Sequence, residues 1–289
     1  MTRDKWASWL LERRSGGDPG VAQRIREDLR PIRDAVLDAA EVGPGTRLLD
    51  AGCGDGLIAF GALERGAASV VFSDVSPDLL DRCRELAAEL GVADRCRFVR
   101  AAAEDLGEVG GGSVDVVTTR SVLIYVADKA AALREFRRVL APGGRISLFE
   151  PINRYFLDAG GGLAALYDPG PVADLAERVS AAIAGVNPLD GPMMGFGERD
   201  LLDLAERTGF LPLRLRLELE VRPPRPRAWD SFVRSAPNPL APTVGEAMRA
   251  TLTPEEIERF TRHLRPLVES GAGTERRALA YLTARSPDP

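Results

Sequence analysis

The chain has 289 residues, with 38 basic and 43 acidic side chains and a formal net charge of −5 at pH 7. Its 45% hydrophobic and 28% charged residues are ordinary globular values, enough for a sizeable core in one large or two small domains. The acidic balance without a long basic stripe disfavours nucleic acid as a partner, because such binding draws chiefly on phosphate neutralisation.

No apolar run of about 18 residues exists to span a membrane. The N-terminus carries only a short, charge-interrupted apolar stretch and does not read as a signal peptide. The three cysteines (Cys53, Cys83, Cys96) show neither CxxC spacing nor an even count, which argues against a disulfide frame or a zinc site. A single histidine, His263, argues against a His-based metal cluster or a Ser-His-Asp triad; a surface position on a polar helix is expected for it. No metal site is expected, and a soluble cytoplasmic protein is the default reading.

Residues 1–41 read as a helical cap. Trp6, Trp9, Leu10 and Arg13 recur at spacings of three and four, and Val21, Ile25, Leu29, Ile32, Val36 and Ala40 continue that period. Ser15-Gly16-Gly17-Asp18-Pro19 separates the two patterns as a turn. Pro31, inside the second, predicts a kink or a fresh helix start. From Thr46 short apolar runs at 47–50, 69–74, 97–100, 114–119 and 145–149 alternate with helical stretches, best seen at 78–90 and 129–140. That alternation predicts βαβ units, hence an α/β fold with a mostly parallel sheet and helices on both faces.

Beyond residue 150 the composition shifts: 16 of the 21 prolines lie there, and glycines cluster at 160–162. A helix follows Glu198 and ends at Gly209. Residues 211–221 alternate strictly, as a half-buried strand does. Arg222-Pro-Pro-Arg-Pro-Arg227 breaks that strand and reads as a solvated linker. Thr253-Pro-Glu-Glu256 opens another helix with a capping box, and 277–284 suits a last strand. The expected organisation is a cap (1–41), a core (42–221 plus 277–286) and a partly helical insertion (222–276).

The chemistry concentrates at the end of the first strand, in Leu48-Leu49-Asp50-Ala51-Gly52-Cys53-Gly54-Asp55-Gly56. Glycines there let the chain turn tightly and let a ligand approach the backbone. A dinucleotide fingerprint has the spacing G-x-G-x-x-G; here it is G-x-G-x-G, with Asp50 before it and Asp55 inside it. Carboxylates at this place repel a pyrophosphate and attract a cation, so a positively charged nucleoside without phosphate is expected. Asp74, which ends the second strand in Ser73-Asp74-Val75, is placed to accept hydrogen bonds from both ribose hydroxyls.

LLDAGCGDG, then SDVS, VDVVTTRSVLIYV and RVLAPGGRISLFEP, resemble in order and spacing the class I S-adenosylmethionine-dependent methyltransferases over about residues 46–150. The resemblance implies a Rossmann-like sandwich with a seven-stranded sheet and S-adenosylmethionine as cofactor, to which the N-terminal helices add a lid and residues 222–276 an insertion before the last strand. It implies that Gly52, Cys53 and Gly54 line the methionine part, that Asp50 supports the loop, and that Asp74 and Val75 meet the ribose. The family usually has an acidic residue before an alanine facing the adenine; here Ala102 takes the acidic place, leaving Ala103 and Glu104 for that contact. Thr119 and Arg120 fall at the sulfonium and amino-acid end, where Arg120 either pairs with the cofactor carboxylate or forms pocket wall.

The implied activity is transfer of a methyl group to an O, N or C atom of a small organic acceptor. The alternatives are a protein of the same fold that binds the cofactor without methylating and, less favoured, a nicotinamide-dependent oxidoreductase. A base helps only where the acceptor must lose a proton; Glu150, Tyr125 and Tyr155 are the candidates. Glu150 reads equally as a partner behind the site, and Tyr125 equally as a buried tyrosine. The acceptor pocket is expected from the Trp6/Trp9 helix, residues 151–197 and the insertion. Pro192-Met-Met-Gly-Phe-Gly197 serves either as pocket wall or as a packed connection.

Overall fold

The computed structural model describes residues 3–155 and 162–287, apart from the side chain of residue 164. Gly160 and Gly161 of the glycine cluster lie outside the described residues. Seven strands form one sheet: β1 (Arg47–Ala51), β2 (Ser69–Asp74), β3 (Cys96–Arg100), β4 (Val114–Arg120), β5 (Leu140–Pro151), β6 (Leu213–Arg222) and β7 (Glu275–Arg285). Their spatial order is β3-β2-β1-β4-β5-β7-β6. All pairings are parallel except those of β7, which runs antiparallel to both β5 and β6. The strand order reverses between β1 and β4, and open α/β sheets bind ligands beyond the strand ends at such a reversal.

Helices cover both faces. On one lie α2 (Pro19–Ala39), α3 (Leu57–Glu64) and α4 (Pro77–Glu89), with Val36, Leu37, Ile58 and Leu80 buried against Leu48, Val70 and Phe72. On the other, α5 (Lys129–Val139) and α8 (Glu198–Arg207) pack Leu133, Phe136 and Leu201 onto Leu49, Val117 and Ile146. The caps are legible in the sequence. Asp18 accepts from the amides of Gly20 and Val21, with Pro19 in the first turn of α2, and Ser76 accepts from Leu79 at 3.1 Å to start α4; each such cap stabilises by about 1 kcal/mol.

Three expectations change. Pro31 does not start a new helix: α2 runs through it, and its exposed position lets the missing backbone hydrogen bond face solvent. The first helix is short, α1 (Lys5–Ser8), and passes into a wider π-type turn at Trp9–Arg13. Strand β5 already begins at Leu140 and carries Pro142 and Gly143 within its span, with a register shift against Val114 and Val116.

Between β6 and β7 the chain forms α9 (Trp229–Val233), α10 (Val244–Thr251) and α11 (Pro254–Ser270). These pack not on the sheet but on α6 (Leu163–Leu166) and α7 (Ala173–Ala184), burying Phe232, Met248, Phe260 and Leu264 against Leu175 and Val179 in a separate cluster. The segments expected to form the acceptor side thus share a core of their own. Among the described residues no helix is long and apolar enough to cross a membrane.

Candidate active site

Strand β1 delivers the chain into the glycine loop at the sheet's reversal point. Gly52, Gly54 and Gly56 have φ of 70°, 57° and 81°, the left-handed region that only glycine enters without strain. Gly52 has a second constraint: a Cβ there would collide with the Val122 side chain. The loop is held from below. Asp50, 1% exposed, accepts from the Ala59 amide (3.2 Å) and the Thr118 hydroxyl (2.9 Å), joining β1 to α3 and β4. Burial pushes its carboxyl up to about 7 against those hydrogen bonds.

Asp74, at the end of β2, faces a cavity of about 820 Å³. One of its oxygens accepts from the Gly54 amide (2.8 Å), the other from the Ser76 amide (2.9 Å), so the carboxylate and the glycine loop fix each other. Burial raises its pKa, and these two amides oppose the rise. Gly52, Gly54, Val75, Ala103, Glu104 and Arg120 line the same cavity.

Asp50, Cys53 and Thr119 lie behind the wall. Thr119 is fully buried and donates to Glu150 at 3.2 Å. Successive strand residues face opposite sides, so Arg120 reaches the cavity and Thr119 does not. After β4, Ser121 (φ 57°) turns the chain, and Val122 enters the cavity wall.

The three candidate bases occupy different environments. Glu150 is 1% exposed and absent from the cavity wall. One of its oxygens accepts from the Thr119 hydroxyl and the amides of Val122 and Leu123 (3.0 Å each), and the other from Ile124 at 3.3 Å. It organises the loop after β4, with burial raising its carboxyl to about 7. Tyr125 lines the cavity, packed edge-on against Trp6 at 5.0 Å between centroids, and burial pushes its phenol up to about 12. Tyr155 is 41% exposed and lies outside the wall. His263 sits on α11, its Nε2 2.9 Å from the Asp168 carbonyl oxygen.

Two parts of the chain close the cavity from above. Asp4 caps α1 through the amides of Trp6 and Ala7, and it also accepts from the Ser76 hydroxyl at 2.6 Å. Trp9 donates through Nε1 to the Ala236 carbonyl (2.9 Å), and Arg13 donates to Ala241 and Glu246. The insertion contributes Phe232, Ala236 and Val244 to the wall, and the preceding segment adds Leu166, Ile183 and Met193. Lys129 holds that last stretch in place. Its Nζ donates to the carbonyls of Val126 (2.9 Å) and Pro192 (3.0 Å) and lies over the Phe196 ring. Sequence reasoning named the Trp6/Trp9 lid but missed Asp4, Arg14 and Arg227 at this site; the aspartate two residues before Trp6 was an available capping signal, whereas nothing in spacing marked the arginines.

A methyltransferase domain family matches residues 49–148. The chain is 40% identical over 116 residues to a tRNA 5-carboxymethoxyuridine methyltransferase of Escherichia coli (strain K12), a match covering 40% of this chain and 43% of that protein. It is 28% identical over 274 residues to nocamycin O-methyltransferase of Saccharothrix syringae, covering 90% of this chain and 92% of the relative. The chain therefore spans under half the length of the first relative and nearly all of the second. Among solved structures, geranyl diphosphate methyltransferase in complex with S-adenosylmethionine superimposes with a TM-score of 0.53 at 19% identity, covering 93% of this chain and 92% of that one.

Proposed function

This chain belongs to the class I S-adenosylmethionine-dependent methyltransferases, and we propose that it transfers a methyl group to an O, N or C atom of a small organic acceptor. The site suits the cofactor on its own geometry: left-handed glycines bring bare backbone to the cavity beside a buried carboxylate held by two amides. When bound, S-adenosylmethionine supplies a methyl group activated by a positively charged sulfur.

Each residue then has a task. Asp74 takes the ribose hydroxyls, and Ala103 with Glu104 flanks the adenine. Gly52 and Gly54 border the methionine part, with Arg120 at its carboxylate end. Asp50 and Glu150 fix, from behind, the two loops on which these groups sit. Methyl transfer from a cationic leaving group needs alignment and exclusion of water more than acid–base help, and the lid and insertion provide both.

One observation carries the acceptor class. The cavity continues from the glycine loop into an apolar chamber whose walls (Trp6, Leu10, Leu166, Phe232, Val244) belong to the lid and the insertion rather than to the matched domain. A chamber lined by the chain's own segments suits a small molecule; the likeness to the tRNA enzyme is limited to 116 residues. The experiment is transfer of labelled methyl from S-adenosylmethionine to a small-molecule panel and, separately, to unmodified tRNA. Label in the small-molecule arm is expected, and label confined to tRNA would overturn the reading. Calorimetry with S-adenosylhomocysteine and with NADH should show binding of the first alone.

A further inference from the structure

Two arginines face the cavity, and among the described residues no carboxylate lies within ion-pair distance of either. Arg14 follows the lid turn and lies over the Trp9 ring, 5.4 Å from its centroid, while Arg120 ends β4. Among the described residues neither guanidinium makes a hydrogen bond or an ion pair. The charges of Asp55 and Asp50 reach Arg14 and Arg120 respectively, both from beyond ion-pair distance, and one oxygen of Asp55 is buried without a partner among the described residues. Burial and the charge of Arg120 push the Arg14 guanidinium down to about 10.

The other charged groups on the wall are committed elsewhere. Arg227 donates to the hydroxyl and carbonyl of Ser231 (3.0 Å each). Asp74 is held by two amides, and the charge of Glu104, in the loop after β3, bears on Lys129.

Like charges gathered in an apolar chamber are unfavourable until anions join them. The methyl donor brings one carboxylate, which occupies one guanidinium. A second anion at ion-pair distance would suit the other. Resting on the methyl-transfer reading above, we propose that the acceptor is a hydrophobic carboxylic acid whose carboxylate is held by Arg14 and is itself the group methylated, giving a methyl ester. Arg14 is assigned to the acceptor because it stands on the lid, outside the matched domain 49–148. Arg120 lies inside that domain, beside the glycine loop.

The proton inventory agrees. An alcohol or phenol must lose a proton to become a good nucleophile, yet no described group in the apolar chamber is fitted to take one. Tyr125 is pushed up to about 12, and Glu150 is turned away onto backbone amides. A carboxylate needs no base. A lone pair on one of its oxygens forms the O–CH3 bond as the S–CH3 bond breaks, the bonding pair passes to sulfur, and the sulfonium becomes a neutral thioether. No proton moves.

The test uses the full chain, methyl-labelled S-adenosylmethionine, and a panel of aryl and alkyl carboxylic acids, each paired with its primary amide and with the phenol or alcohol of the same skeleton. The acids alone should take label, and mild alkali, which cleaves methyl esters but not ethers or N-methyl groups, should release it as methanol. Arg14→Gln should raise the KM for the acid about tenfold or more, the loss of a charge-assisted hydrogen bond. Its S-adenosylhomocysteine affinity should stay within about threefold of wild type, and Arg14→Lys should recover part of the loss. Alkali-stable label on phenols or amines would overturn the carboxylate assignment and leave methyl transfer standing. A parallel fall in S-adenosylhomocysteine affinity for Arg14→Gln would overturn the role given to Arg14. Tight S-adenosylhomocysteine binding with no label in any arm would overturn the methyl-transfer reading beneath both.

Discussion

Asp4 accepts a hydrogen bond from the Ser76 hydroxyl at 2.6 Å, and Ser76 is two residues beyond Asp74, the carboxylate that faces the cavity. The contact joins the start of the lid to the loop after β2, so the lid and the Asp74 loop are expected to order together. Asp4→Ala removes this bond together with the α1 cap, a loss of about 1 kcal/mol from the cap alone. S-adenosylhomocysteine should then dissociate about three- to tenfold faster, with little change in its association rate. Stopped-flow kinetics reads both rates, and an unchanged dissociation rate would sink the coupling.

Asp74→Ala should weaken S-adenosylhomocysteine about tenfold or more, since a carboxylate fixed by two amides cannot be replaced by a neighbour. Calorimetry measures it directly. Equal affinity would remove Asp74 from the ribose.

Glu150 separates two roles by one substitution. As the acceptor for three backbone amides and the Thr119 hydroxyl, its loss in Glu150→Ala leaves buried donors unpaired and should destabilise the fold by about 2–4 kcal/mol in denaturant titration. Glu150→Gln keeps an acceptor oxygen and should retain most of the turnover, with the shape of its pH profile unchanged. Were Glu150 a general base, the same variant would lose the ascending limb of that profile.

The pH dependence of stability has a definite sign. Asp50 and Glu150 both titrate near 7 in the folded chain, well above the unfolded carboxyl range of about 4. Between those values the native state holds protons that the unfolded chain releases. Their contribution is thus fully present below about pH 4 and is lost as pH rises through about 7. Urea titrations across that window should show a downward slope attributable to these two groups, and Asp50→Asn should flatten it. An identical slope in wild type and variant would contradict the burial of this charge.

The sheet and the donor loop were legible because their signals are local. Glycine spacing, Asp74 at a strand end and the caps at Asp18 and Ser76 all lie within a few residues of the structure they cause. Strand β6 was legible as a period of two, although it outruns the core: Leu213, Leu215 and Leu217 pack on it, while Leu219 and Val221 are 49% and 63% exposed. Long-range pairing left no such mark. Nothing near Phe232 announces Tyr167 as its edge-on neighbour, 6.0 Å away and 65 residues earlier in the chain. Nor does spacing alone reveal that Glu150 points at amides rather than at the cavity. Had strand alternation been applied to Thr119 and Arg120, only one of the two would have been assigned to the ligand.

The lid is sewn to the insertion more firmly than to the sheet. Arg13 and Ala236 pair through their backbones, Ser231 donates to the Ser15 carbonyl, and a Cβ on Gly16 would collide with Ser231 itself. Toward the sheet, the ties are the side chains of Asp4 and Trp6 on Ser76 and Tyr125, with one amide on Asp78. The lid and the insertion are therefore expected to move together, with the looser seam running along Asp4 and Trp6. A cross-link between residues 9 and 236 should leave traffic through that seam intact, whereas one between residues 4 and 76 should lock it shut.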